Sequence, residues 1–363
     1  MEVVAQALVM LHRRMPSRHH GKKSSTRFVS TPEQGLKSRI IWPPSMLMRP
    51  ALPTTRSSTA PRLVWSGMNC TTWAGTPVLH AMMMTAWERK YLIIPGVRTS
   101  NFYIVDTATD PRKPTVFKTI DGEEIKKKTN LSAPHTVHCL GSDIIVSMLG
   151  DADGNAPGGY LHLDKDFNIV GRWETNTTGM NFSYDFWYQP RHNMMVSTEW
   201  AAPNTFMPGF DLEDVANGKY GQHIHFWDFK NRTIEKSIDL GAEGLIPLET
   251  RFHHNPDSTH GFVGATLSSN IFHWYKDDEG ELQIEKVIDV EHIDVEDFPV
   301  PMPGLITDIL ISMDDKYLYF SNWLHGDLRQ YDISDPSNPK LTGQVWIGGL
   351  LGKAPEVNGR AVN

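Results

Sequence analysis

Only two cysteines, Cys70 and Cys139, occur in 363 residues, which excludes a disulfide framework and suits a reducing compartment. No apolar run is long enough to cross a bilayer, and the start carries no apolar signal-peptide core. A cytoplasmic chain is expected, with the nucleus also accessible to it and peripheral attachment to a membrane left open. Acidic residues are nearly missing from the first 87: Glu2 and Glu33 stand against eleven Lys or Arg, a net of +9 in a chain whose total is −7. The rest therefore carries −16 and holds no basic patch for nucleic acid; Lys126, Lys127 and Lys128 read as a short solvated run. No phosphate loop is present. The string G-D-A-D-G-N-A-P-G-G after Leu149 lacks the Lys and the helix such a loop needs. Its Asp151 and Asp153 lack the other ligands of a calcium loop.

What the chain does contain is a repeat. Apolar strands KYLIIPG, DIIVSMLG, NMMVSTEW, GFVGATLSS and KYLYFSNW are each followed by a second strand: FYIVD, YLHLD, IHFWD, FHWYK and LRQYD. The second strands end at Asp106, Asp164, Asp228, Lys276 and Asp332, at intervals of 58, 64, 48 and 56. Asp106 and Asp332 also open similar Asp-, Ser- or Thr- and Pro-rich corners, D-T-A-T-D-P-R-K-P and D-I-S-D-P-S-N-P-K. A β-sandwich would not return to one two-strand signature at this spacing. An all-β chain is expected, a β-propeller seen as an incomplete ring of about five recognisable blades.

The segments preceding the first strands place polar groups at comparable positions. His135 and His138 lie in A-P-H-T-V-H-C, Asp185 in S-Y-D-F-W-Y, Glu249 in P-L-E-T-R-F and Asp308 in L-I-T-D-I-L. Inner segments of a propeller line its axial channel, so Asp185, Glu249 and Asp308 are expected to converge on one cavity with the histidines. On a regular strand His135 and His138 would point to opposite faces, so joint ligation needs a bend, which Pro134 favours. Imidazole-rich sites suit copper, zinc or iron, and the residues do not choose among them. The many aromatics read as blade packing, His192 as a turn residue, and Cys139 is given no role.

Several long strings resemble one family. HTVHCLGSDIIVSMLGDADGNAPGG (135–159), YDFWYQPRHNMMVSTEWAAPN (184–204), GLIPLETRFHHNP (244–256), MPGLITDILISMDDKYLYFSNWLHGDLRQYDISDP (302–336) and LTGQVWIGG (341–349) are similar to the selenium-binding protein family. The resemblance implies copper-dependent oxidation of methanethiol by O2 to formaldehyde, hydrogen sulfide and hydrogen peroxide, with a small thiol and O2 as partners. The alternative it leaves is a non-catalytic selenium-binding scaffold in trafficking or redox regulation. His254 in R-F-H-H-N-P and His325 in N-W-L-H-G-D sit in matching strings and join His135 and His138 as expected metal ligands. Catalytic residues are not named by the sequence.

Residues 1–87 carry none of these strings. Codons for Met68 to Thr85, read one nucleotide earlier, are forced to encode x-E-L-[HY]-x-[LMV]-G and later D-D-D. That is compatible with the family string D-E-L-H-H-x-G-W-N-x-C-S-S-C-H-D-D-D. Residues 1–87 are thus expected to be a frame-shifted or disordered segment. The blades then occupy 88–363, ending before a final blade. The paired cysteines that the family associates with selenium are absent from the sequence as it stands.

Overall fold

The computed structural model describes residues 90–351 apart from 296, 297, 299 and 349, together with the strand residues 356, 357, 360 and 361. The expectations for residues 1–87 lie outside the described residues. Strands β1 (Tyr91–Pro95), β2 (Phe102–Asp106) and β3 (Thr115–Ile120) form a three-stranded sheet. A short helix, α1 (Gly122–Thr129), follows, and it carries the run of three lysines. Four four-stranded antiparallel meanders come next. They are β4–β7 (Ser132–Leu140, Asp143–Gly150, Gly159–Leu163, Ile169–Arg172) and β8–β11 (Phe186–Gln189, Met194–Thr198, His223–Asp228, Thr233–Asp239). The last two are β12–β15 (Pro247–Phe252, Gly261–Ala265, Asn270–Lys276, Leu282–Asp289) and β16–β19 (Ile306–Ile311, Tyr317–Asn322, Asp327–Asp332, Lys340–Trp346). The fold is a β-propeller, and these five sheets are its first to fifth described blades.

The recurring strand pair occupies the second and third strands of each full blade, and β1 and β2 in the first. Its terminal Asp has a structural job. Asp106 Oδ1 accepts from the backbone N–H of Ala108 (2.9 Å) and Thr109 (3.0 Å), and Asp332 Oδ1 from Ser334 (2.9 Å). Asp164 and Asp228 close their turns in the same way. Where the repeat reads Lys276, the next residue takes over: Asp277 Oδ1 accepts from Glu281 N at 2.8 Å.

The second, third and fourth blades bury both faces of their central strands, which explains why those strands read as continuous apolar runs, whereas the first and fifth leave Phe117, Leu310 and Tyr319 exposed on one face. Val146 packs toward the first blade with Phe102 and Ile104, while its neighbour Ile145 packs toward the third with Phe186 and Trp227. Phe226 likewise faces the fourth blade beside Trp274, and Phe262 joins Ile309 and Phe320 of the fifth. Trp227 and Trp274 are fully buried and anchor two of these interfaces.

Polar clasps accompany the apolar cores. Thr198 is buried; its Oγ1 donates to the Leu248 carbonyl across the third–fourth interface (2.5 Å) and accepts from Asp185 N (3.2 Å). Thr198→Val keeps the shape and strands both partners. A loss of about 1–3 kcal/mol is expected, seen as a lower urea midpoint with an unchanged slope. A midpoint that does not move would show that the hydroxyl clasps nothing.

Candidate functional site

Three of the four innermost strands begin with the same two moves. A non-glycine residue adopts a left-handed conformation: Ala133 (φ 55°), Ile246 (φ 57°) and Leu305 (φ 59°). A β-bulge follows, between Pro134 and Val137, between Pro247 and Thr250, and between Ile306 and Asp308. A bulge inserts one extra residue and re-aims the side chains beside it. Left-handed geometry at a β-branched residue such as Ile246 is strained, and such strain gathers at functional sites. His135, Glu249 and Asp308 lie at these bulges, and Asp185 immediately precedes β8.

The bulge in β4 supplies the bend that His-x-x-His requires. His135 and His138 both turn toward the third blade. The His135 ring lies 4.1 Å from that of Tyr184, and the His138 ring 4.9 Å from Phe186 and 4.6 Å from Trp187. Both imidazoles are buried, and burial pushes each pKa down to about 4. They are neutral at physiological pH. Thr136 Oγ1 donates to Asp185 Oδ1 (2.8 Å), so its lone pair receives the proton of His135 Nδ1 (3.0 Å). This assigns the lone pair of His135 to Nε2. The Nε2 of His138 is buried with no hydrogen-bond partner among the described residues.

The three expected carboxylates do converge, around a residue that the sequence reading passed over. Arg251 Nη1 donates to Asp185 Oδ2 at 2.7 Å and its Nη2 to Glu249 Oε2, while Asp308 Oδ1 lies 3.7 Å from Nη2. Its guanidinium also sits 4.8 Å from the ring centroid of Trp187. Asp185 is almost wholly buried, which favours its neutral form. Arg251, His138 and the donors Thr250 N (3.0 Å) and Thr136 outweigh this and hold it below the usual carboxylate range. Burial, then repulsion from Asp185, pushes Glu249 up to about 8; burial also raises Asp308. One guanidinium thus serves three acids, and the cluster keeps a proton at neutral pH.

That proton has a measurable consequence. A raised folded-state pKa means the native state binds a proton that the unfolded chain has released. The stability Glu249 contributes is complete below about pH 4.3, the unfolded value for Glu, and is lost as pH rises through about 8. Glu249→Gln should flatten this part of the stability–pH curve and be the more stable form at pH 8. Parallel curves for the two proteins between pH 5 and 8 would contradict the assignment.

The other two expected metal ligands lie elsewhere. His254 follows β12 and pairs through Nδ1 with Asp315 Oδ1 (3.0 Å) in the β16–β17 turn, fastening the fourth blade to the fifth. His325 sits between β17 and β18, and its Nε2 contacts the Met302 carbonyl at 2.9 Å. Among the described residues no group of three or more His, Cys, Asp or Glu is arranged to hold a metal ion. The four histidines expected as ligands thus stand in separate places, His135 and His138 against Tyr184, Phe186 and Trp187, and His254 and His325 at loops of the fourth and fifth blades. His192 lies in a 3-10 turn, as expected.

A family model described as 56kDa selenium binding protein (SBP56) matches residues 65–363. The chain belongs to the selenium-binding protein family. The match starts at residue 65, ahead of the boundary expected near Trp87. A family member from Xenopus laevis named methanethiol oxidase is 53% identical over 266 residues, covering 72% of this chain and 56% of that protein. Selenium-binding protein 2 of Arabidopsis thaliana is 51% identical over 269 residues, covering 73% and 55%. The chain thus spans little more than half the length of these selenium-binding relatives. A solved structure described as a hypothetical selenium-binding protein from Sulfolobus tokodaii is 42% identical with a TM-score of 0.71, covering 74% of this chain and 62% of that one. No helix among the described residues is long and apolar enough to cross a membrane.

Proposed function

We propose that this chain carries the inner face of a methanethiol oxidase, which converts methanethiol, O2 and water into formaldehyde, hydrogen sulfide and hydrogen peroxide. The observation that supports this most is the pair of buried, neutral imidazoles beside the Arg251 cluster, with Nε2 of His138 unpartnered among the described residues. Identity of 53% to the Xenopus methanethiol oxidase supports the same reading.

Neutral imidazoles are what a copper ion requires of a protein, so His135 and His138 fit as two of its donors. Copper held there would offer a centre that a soft thiolate can ligate and that passes electrons to O2. The chain's own residues prepare the place. Asp185, acting through the Thr136 hydroxyl, fixes the His135 ring and raises the basicity of its Nε2. Tyr184, Phe186 and Trp187 shield the imidazoles from water. Glu249 holds a proton while Asp185 does not, so the cluster offers both a donor and an acceptor for the protons that the reaction moves.

The alternative, a non-catalytic selenium-carrying scaffold, finds no cysteine pair among the described residues, where Cys139 is the one cysteine. Copper-loaded and chelator-stripped protein sealed with methanethiol and O2 separate the two readings. Equal yields of formaldehyde, sulfide and peroxide from the loaded form alone are expected. Equal rates from the stripped form, or thiol consumed only to its disulfide, would overturn the oxidase.

A further inference from the structure

A second constellation lies in the cleft between the second and third blades, outside the Arg251 cluster. Glu199 immediately follows β9 and His223 opens β10, so both stand at the end of the third blade where β8 begins. The Glu199 side chain is fully buried and saturated with donors. Oε1 accepts from Asn181 N (2.9 Å), Phe182 N (3.2 Å) and His225 Nε2 (3.1 Å). Oε2 accepts from His223 N (3.2 Å) and His223 Nδ1 (2.9 Å). The carboxylate is therefore ionised, and its pKa falls to about 2: burial raises it, but the two histidines more than compensate.

The two histidines differ in what remains of them. His225 is spent: its Nδ1 pairs with Ser237 Oγ at 2.8 Å and its side chain is fully buried. His223 is 26% exposed and lines a cavity of about 640 Å³. Because Glu199 takes Nδ1, the Nε2 of His223 is left on the cavity side, and no partner for it exists among the described residues. Backbone donors and His225 already satisfy Glu199, so the free edge of His223 is not needed to hold the loop. The remaining wall is largely apolar, with Met180, Phe182, Val215 and Leu245, and among the described residues that line it His223 alone is able to carry positive charge. Tyr220, also in the wall, has a buried hydroxyl without a partner among the described residues. Mostly apolar cavities of this size with a few fixed polar groups are the usual form of small-molecule sites.

We infer that this cavity is a second ligand site, which takes a small organic acid with an apolar body and holds its carboxylate against Nε2 of His223. Glu199 acts here as a positioning residue: it fixes the ring and favours the imidazolium, a charge-assisted donor for a carboxylate. The charged or titratable groups that act on His223 are Glu199, the parallel ring of His225 at 6.2 Å and Asp239, which Gln222 tethers. Hydrogen bonding to Glu199 raises the His223 pKa, so carboxylate binding should weaken as pH rises through it.

Titration of the full chain with sodium octanoate, octan-1-ol and octylammonium, followed by calorimetry and by the His223 ring resonances, tests this directly. Octanoate should shift those resonances and bind at least about tenfold more tightly than the alcohol, since a hydrogen bond between charged groups is worth that factor. In His223→Gln the acid and the alcohol should bind alike. Ala216→Trp, at an exposed wall position away from Glu199, should weaken both. Failure of octanoate to bind, equal binding of octanol or octylammonium, or unmoved His223 resonances would each overturn the proposal, and these arms need no variant to fold.

Discussion

Arg251→Met is expected to destabilise the protein by about 3–5 kcal/mol, the usual cost of removing one partner from a buried ion cluster. Methionine keeps an unbranched apolar stem and deletes the guanidinium, with its charge, its hydrogen bonds and its contact to Trp187. Asp185, almost wholly buried, then loses its counter-ion and must either stay ionised without one or take up a proton. Glu249 and Asp308 lose the same partner, while their mutual repulsion with Asp185 remains. Total stabilities are only about 5–15 kcal/mol, so the urea midpoint should drop steeply. The double variant Arg251→Met with Glu249→Gln should recover part of the loss, because one of the competing acids is gone. A single-variant loss below about 1 kcal/mol would mean that the cluster is solvated and that Arg251 is not its hub.

The fold was legible because its repeat has a chemical cause. Turns that close on an Asp side chain leave that Asp in the sequence, which is why Asp106, Asp164, Asp228 and Asp332 mark the period. The same cause explains the exception, since Asp277 closes the turn after Lys276. The first and fourth strands of each blade lack such a mark, so the repeat showed two strands where four stand. The carboxylates were legible for a related reason: equivalent places on inner strands must converge on the axis, whatever their separation along the chain. Arg251 was not, although its acid-rich neighbourhood in P-L-E-T-R-F was in view. Nothing along one strand shows that an arginine two residues from Glu249 also meets Asp185, which lies 66 residues earlier. His254 and His325 stand apart from the inner cluster. They sit in strings shared with the family, but histidines are also retained to fasten loops, and Asp315 and the Met302 carbonyl hold these two. The Glu199–His223 pair left no sequence signal, because Glu199 follows one strand and His223 begins the next after a long connection.

The largest functional effect should separate the histidines that face the inner cluster from those that fasten blades. His138→Ala removes a buried imidazole whose Nε2 has no partner among the described residues, so the fold loses ring packing against Phe186 and Trp187 but no described hydrogen bond at that atom. Bound copper and thiol oxidation should both fall by about a hundredfold or more, because losing a ligand costs at least what losing its outer support costs. His254→Ala should behave in the reverse way. Deleting its side chain breaks the Nδ1 contact to Asp315, which still accepts from the backbone N–H groups of His254 (2.6 Å) and Asn255 (2.8 Å). The fourth and fifth blades should therefore loosen modestly, by about 1–2 kcal/mol, with copper content and turnover per folded molecule retained. Metal analysis of the two purified variants, alongside urea midpoints, decides the matter. Copper retained in His138→Ala would remove that residue from the site. Copper lost from His254→Ala at unchanged stability would restore His254 as a ligand and require the fourth blade to move toward the axis when the metal binds.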